Sequence, residues 1–303
     1  MSVLQTTNLT KKFGKFTALD KINIEVNKGE IFGFIGPNGA GKSTTIRILL
    51  GILNATSGKA EIFGKDVWRE AVAIHKQIAY VPGDVNLWPN LTGGEVIDLF
   101  MKLRGPNHSD RKHQLIEEFK LDPTKKCRTY SKGNRQKVAL IAALSSDADL
   151  YIFDEPTSGL DPLMERIFQK KVLEVKQSGK SVLLSSHILS EVEKLCDRIG
   201  IIRDGKIIET GTLAELRHLT RTNLRVETKQ PLTGLDMIAG IHHLEQKEGI
   251  ASFQIDSEHL DAVIKHISSF GIVKLESAPP TLEDLFMRHY EGSDAKVAGG
   301  KNE

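Results

Sequence analysis

Apolar Ile22, Ile24 and Val26 alternate with polar neighbours, the period of a strand with one buried face. Residues 2–8 and 22–27 are therefore predicted strands. A different pattern follows. Ile31-Phe32-Gly33-Phe34-Ile35 is a continuous apolar run, too short for a helix, and reads as a buried strand. Residues 44–50 then carry apolar side chains on one side of a helix. Further strands are predicted at 58–64, 77–82, 150–153, 181–185 and 198–203. Helical periodicity marks 94–104 and 110–120, split by the breaker Gly105-Pro106. It returns from Ser131, placed as an N-cap, to about Ser146, and again over 162–177. Asp204-Gly205 between strands signals a hairpin continuing through residues 206–209. Thr212-Leu213-Ala214-Glu215 is a capping box that opens a helix.

Strands alternating with helices predict an α/β core with a parallel sheet. An antiparallel β part precedes it, and residues 84–148 form a mostly helical subdomain. Near residue 221 the character changes. The order becomes strand (224–228), helix (231–238), strand (241–246), strand (251–256), helix (258–269), strand (272–277) and helix (281–290). That order is close to a small α+β domain of βαββαβ type over 221–291. Residues 292–303 are polar and read as a disordered tail.

Between the first apolar strand and its helix lies Gly36-Pro37-Asn38-Gly39-Ala40-Gly41-Lys42-Ser43, which fits G-x-x-x-x-G-K-[ST] at every fixed position. Strand, glycine-rich loop and helix are the context this motif needs. The glycines let backbone N–H groups converge on an anion, and the helix start, with Thr44, adds partial positive charge. Lys42 is placed to reach the β- and γ-phosphates of a nucleotide, and Ser43 to offer its hydroxyl to Mg²⁺.

A second phosphate-site element follows strand 150–153. Asp154 is placed to hold Mg²⁺, directly or through water, and Glu155 to polarise an attacking water as general base. His187 follows strand 181–185 and so faces the same strand-end edge, where it can bond a γ-phosphate oxygen or orient the water. Phe13, ahead of Gly14, is a candidate for stacking on an adenine ring, with Phe16 the second choice; the alternative is that both belong to the core.

Composition narrows the class. The 303 residues suffice for two domains with a sizeable core. A net charge of +2 with mixed signs argues against a nucleic-acid partner. No apolar run approaches the roughly 18 residues of a membrane span. The first residues lack the charged and apolar parts of a signal peptide. Cys127 and Cys196 stand far apart, outside any CxxC or His/Cys cluster, and read as reduced packing residues.

Taken together, the motifs resemble the nucleotide-binding subunit of an ABC transporter over residues 2–218. Residues 36–43 correspond to Walker A, 150–155 to Walker B with its glutamate, Ser158-Gly159-Leu160-Asp161 to the D-loop and Ser185-Ser186-His187 to the H-loop. Tyr130-Ser131-Lys132-Gly133-Asn134 stands where the signature belongs. Pro279-Pro280-Thr281-Leu282-Glu283-Asp284-Leu285-Phe286 is similar to the accessory domain of ABC-2-type exporter ATPases. The resemblance implies a P-loop NTPase core of ABC type that binds ATP and Mg²⁺ in a head-to-tail dimer. Ser131 and the Gly133 amide would meet the γ-phosphate held by the partner, and Asp161 would link the two sites. It also implies a peripheral protein on the cytoplasmic side of the membrane, bound to a separate permease and to a second ATP-binding subunit. Trp88 and Leu91 would receive that permease, or else cap the local core.

Two positions depart from the family. Lys132 replaces the first signature glycine and either faces solvent, the commoner state for lysine, or adds a cation near the phosphates. Gly83 stands where a glutamine normally links Mg²⁺ to the coupling loop. The competing expectations are a soluble ABC-type ATPase acting on ribosomes or DNA, and a cassette that binds ATP with little turnover.

Overall fold

The computed structural model describes residues 1–104, 109–218, 221–247 and 249–278. Two compact units meet in the chain at Thr210 and Gly211, ahead of the change of character near residue 221. The first begins with β1 (Ser2–Phe13), β2 (Phe16–Ile22), β3 (Glu25–Asn27), β4 (Ile31–Ile35) and α1 (Lys42–Leu49). Next come β5 (Ser57–Ile62), β6 (Lys65–Asp66), α2 (Ala71–His75) and β7 (Ile78–Val81). Three helices then run in series, α3 (Gly93–Arg104), α4 (Ser109–Glu118) and α5 (Lys132–Leu144). The chain returns to alternation with β8 (Leu150–Asp154), α6 (Pro162–Gln177), β9 (Ser181–Ser186) and α7 (Leu189–Leu195). It closes with β10 (Arg198–Arg203) and with β11 (Lys206–Thr212), whose last two residues fall in the second unit.

The main sheet has the order β11-β10-β4-β9-β8-β7. Pairs from β10 to β7 are parallel. Every residue of β4, β8 and β9 is buried, and β4 and the Leu150–Phe153 part of β8 accordingly read as short apolar runs. Register decides where the site lies. Ile35 pairs with Ser186, Ser185 with Asp154, and Phe153 with Val81. The C-terminal ends of β4, β9, β8 and β7 therefore finish in one row, the edge where α/β sheets take their ligands. A second, antiparallel sheet has the order β2-β1-β5-β6, with β3 on β1. Leu4, Val26, Ile62, Phe32, Phe34 and Ile152 share the core with α1 residues Ile46 and Leu49.

The second unit contains α8 (Leu213–His218), β12 (Thr222–Thr228), β13 (Ile241–Lys247), β14 (Ile250–Ile255), α9 (Leu260–Ser268) and β15 (Ile272–Ala278). Its antiparallel sheet has the order β13-β14-β12-β15. Leu224, Val226, Phe253 and Ile255 form the core with Val263 and Ile267 of α9. The capping box is present in full. Thr212 N–H donates to Glu215 at 2.7 Å and Glu215 N–H to the Thr212 hydroxyl at 3.1 Å.

Several expectations change. Ile22, Ile24 and Val26 are all buried as their alternation predicts, but strand 22–27 is broken between β2 and β3. The helix expected over 231–238 is only a single turn at Leu235–Met237, because Gly234 adopts a left-handed φ of 78°. Helices α2 and α7 had no counterpart in the sequence reading. The breaker Gly105-Pro106, the helix over 281–290, the exporter-like stretch 279–286 and the tail 292–303 lie outside the described residues.

Candidate nucleotide site

The loop Gly36–Ser43 bridges β4 and α1. Its glycines answer two separate demands. A Cβ on Gly36 would fall 2.3 Å from the Ile202 carbonyl oxygen, and Gly41 holds φ 114° as the N-cap of α1. With glycine as cap, no side chain bonds the first amides of α1, so they stay available to an anion. Lys42 is 5% exposed and folds into its own loop. Its Nζ donates to the Gly36 and Pro37 carbonyls at 2.5 and 3.2 Å and stands 3.6 Å from Glu155 Oε1.

Glu155 joins the strand ends together. It follows β8 with a left-handed φ of 49°, a strained conformation for a residue with a side chain. Its N–H donates to the Ser185 carbonyl at 2.9 Å. Its Oε2 lies 3.2 Å from His187 Nδ1. Lys42, Glu155 and His187 thus form one chain of polar contacts across the ends of β4, β8 and β9.

Asp154 is the buried member, 6% exposed. Burial pushes its carboxyl above the ordinary carboxylate range, while the Ser185 and Ser43 hydroxyls and the Lys42 cation beside it pull the other way. Among the described residues its Oδ1 has no hydrogen-bond partner. A Cβ on Gly83 would sit 3.0 Å from the Asp154 carbonyl oxygen and 3.5 Å from Glu155 Cβ. Gly83 therefore lies against the same strand end.

Ser131 caps α5, its hydroxyl accepting from Asn134 N–H at 3.3 Å. Gly133 lies so close to Gly159 that a Cβ would fall 2.3 Å from the Gly159 carbonyl oxygen. Lys132 does not simply face solvent. Its stem covers Gly159 and its Nζ donates to Ser158 Oγ at 2.7 Å. Asp161 caps α6, with Oδ1 accepting from Leu163 and Met164 N–H at 3.0 Å each.

Comparison with known proteins places this geometry. The ABC transporter family matches residues 19–158, and the DrrA1-3-like ATP-binding protein C-terminal domain matches residues 211–290. The bacitracin transport ATP-binding protein BcrA of Bacillus licheniformis is 31% identical over 302 residues, spanning 95% of this chain and 97% of its own. The linearmycin resistance ATP-binding protein LnrL of Bacillus subtilis (strain 168) is 32% identical over 305 residues, spanning 94% and 97%. The chain belongs to the ATP-binding subunits of ABC transporters.

Solved structures agree. An ATP-binding subunit of an ABC transporter superposes with TM-score 0.67 at 32% identity, covering 72% of this chain and 92% of that one. The dimeric cassette MJ0796, in a post-hydrolysis state bound to ADP and Pi, gives TM-score 0.64 at 25% identity, covering 69% and 98%. The ABC chain is thus an ATP-binding, ATP-hydrolysing transport subunit. These relatives favour that reading over a ribosome or DNA factor.

Two features of this ABC cassette were invisible or ambiguous in the sequence. Phe13 and Phe16 pair across a tight β1–β2 turn and are 49% and 65% exposed, so they are not core. Lys11 lies over the Phe13 ring at 5.0 Å. The other is Glu191 of α7, buried among the strand ends with Oε2 on the Ser186 hydroxyl at 2.9 Å. Burial pushes its carboxyl up to about 7. Its only sequence signal is the helical spacing of Val192 and Leu195 next to it.

Proposed function

We propose that this chain is the ATPase subunit of an exporter, working as a cytoplasmic-side peripheral dimer on a separate membrane permease. The chain Lys42–Glu155–His187 beside the buried Asp154 is the observation that carries the reading. Amides of Gly39 to Thr44 and the Lys42 ammonium cradle the β- and γ-phosphates, as a P-loop requires. Phe13 stacks on the adenine face. The residues fit Mg²⁺: the unpartnered Asp154 Oδ1 is the hard oxygen such an ion takes, and Ser43 offers a hydroxyl beside it. Bound there, Mg²⁺ neutralises charge on the phosphoryl oxygens.

Glu155 accepts a proton from the attacking water, and its contact with Lys42 at 3.6 Å orients the carboxylate for that task. His187 holds the carboxylate by its Nδ1 and leaves its other ring nitrogen for the γ-phosphate. Ser131 and the Gly133 amide, at the start of α5, stabilise the same phosphate across the dimer. Asp161 sets the exit of the loop between the two sites by capping α6.

Among the described residues no helix is long and apolar enough to cross a membrane, which suits a subunit that borrows its permease. A groove of about 450 Å³ lined by Leu50, Ile52, Val72, His75, Phe100 and Leu103 supports that partner. Ile52, Val72 and Leu103 are 65, 78 and 74% exposed there, an apolar surface that asks for cover. Trp88, half-exposed and packed on Phe100 at 6.1 Å, extends it, whereas Leu91 is partly buried. Relatives named for bacitracin transport and linearmycin resistance make such antibiotics the first substrates to screen.

The test is ATP hydrolysis by the purified chain and by Glu155→Gln over a range of protein concentrations. Wild-type turnover should rise steeply with concentration. Glu155→Gln should lose at least 100-fold and instead form an ATP-stabilised dimer. A Glu155→Gln variant that hydrolyses ATP as fast as wild type overturns the reading.

A further inference from the structure

Two turns carry the Glu155–His187 pair, and neither side chain is held by burial: Glu155 is 25% and His187 51% exposed. What aligns them lies behind. Glu191 Oε2 accepts a hydrogen bond from Ser186 Oγ at 2.9 Å and a longer one from Thr157 Oγ1 at 3.5 Å. Ser186 Oγ in turn accepts from Ile188 N–H at 3.0 Å. His187 is therefore bracketed on both sides by one hydroxyl, and that hydroxyl is anchored to Glu191. Thr157 lies in the turn that follows Glu155, where Ser158 N–H donates to the Glu155 carbonyl at 3.2 Å.

This arrangement is costly. Glu191 is 3% exposed, and its Oε1 has no partner among the described residues. Its helix also contributes Val192 and Leu195 to the apolar interior. An aliphatic side chain would fill such a position at lower free energy than a half-satisfied carboxylate. An aliphatic side chain could accept from neither turn, whereas the Oε2 of Glu191 accepts from both.

We propose that Glu191 is a positioning residue for hydrolysis: its carboxylate ties the His187 turn to the Glu155 turn and so fixes the 3.2 Å His187–Glu155 contact. The inference rests on the reading of Glu155 and His187 given above. It assigns Glu191 no contact with nucleotide, so ATP affinity should not depend on it.

The experiment compares steady-state ATP hydrolysis by the full chain as wild type, Glu191→Ala, Glu191→Gln, Val192→Ala and Glu155→Gln. Val192→Ala thins the apolar packing of the same helix and leaves the Glu191 carboxylate in place. Glu191→Ala should lower kcat at least ten-fold with KM for ATP changed less than two-fold. Glu191→Gln, whose amide oxygen still accepts from both hydroxyls, should recover most of that loss, and Val192→Ala should keep wild-type kcat. In parallel, the ¹H–¹⁵N signals of the His187 ring should shift in Glu191→Ala and return in Glu191→Gln, a readout that needs no turnover. Equal losses in Glu191→Ala and Val192→Ala, no rescue by glutamine, or an unmoved His187 ring would overturn the proposal. An active Glu155→Gln would instead overturn the assignment of the base. A dead Glu155→Gln beside a fully active Glu191→Ala would sink the positioning role alone.

Discussion

Lys132 and Ser158 are joined by a 2.7 Å hydrogen bond between the signature turn and the D-loop of one chain. The lysine stem also lies over Gly159, with Cγ and Cδ 3.3 and 3.4 Å from where a Cβ would sit. Lysine in place of the family's glycine is thus a brace between two loops that the proposed dimer places at ATP. An exposed bond of this kind contributes roughly 0.5–1 kcal/mol. Lys132→Ala and Ser158→Ala should each raise the ATP concentration for half-maximal turnover about two- to five-fold. Because they remove the same bond, the double variant should be no worse than the poorer single. ATP titrations of the four proteins decide it. Effects that multiply in the double variant would mean the two side chains act apart.

Glu191 also links pH to stability. Burial, reinforced by the carboxylates of Glu165 and Glu155 and opposed by Ser186 and Thr157, raises its carboxyl from 4.5 to about 7. A raised carboxyl binds its proton more tightly in the folded chain than in the unfolded one. Its contribution is therefore most favourable below pH 4.5 and is lost as pH rises to about 7. The loss across that window is of order 3 kcal/mol. Glu191→Gln carries no such titration. Its Tm relative to wild type should climb as pH goes from 5 to 8, measured by thermal melting in matched buffers. A constant Tm difference across that range would show that Glu191 titrates near its ordinary value.

Where the sequence was legible, the information was local. Residues 36–43, Asp154-Glu155 and His187 each follow an apolar run that ends abruptly in polar residues, so strand and site residue are read together. Helix α6 begins and ends where its pattern predicts, because Asp161 caps it and Pro162 occupies its first turn. What was not legible depends on contacts distant along the chain. Lys132 meets Ser158 across 26 residues, and Glu191 reaches Thr157 across 34. A carboxylate on a short amphipathic helix reads as solvent-facing until the fold shows what covers it. The turn at Phe13–Phe16 lacked the usual Asn-Gly signal, and left-handed Gly14 makes it instead.

Gly83 tests how far the site depends on a side chain it does not have. Its backbone lies against Asp154 and Glu155, and a Cβ would sit 3.0 Å from the Asp154 carbonyl oxygen. That is tight, and the Asp154 backbone must give by a few tenths of an ångström to take it. From that point a glutamine amide reaches toward the unpartnered Asp154 Oδ1, the place proposed for Mg²⁺. Gly83→Ala carries the same backbone strain without the amide, and so isolates it. Gly83→Gln should lower the Mg²⁺ concentration for half-maximal turnover about three- to ten-fold, the effect of one added oxygen contact near the ion. Gly83→Ala should leave that concentration within two-fold of wild type while trimming kcat by a similar small factor. Mg²⁺ titrations at saturating ATP separate the two. An unchanged Mg²⁺ dependence in Gly83→Gln would mean that Asp154 and Ser43 already satisfy the ion, and that glycine here costs the cassette nothing in metal binding.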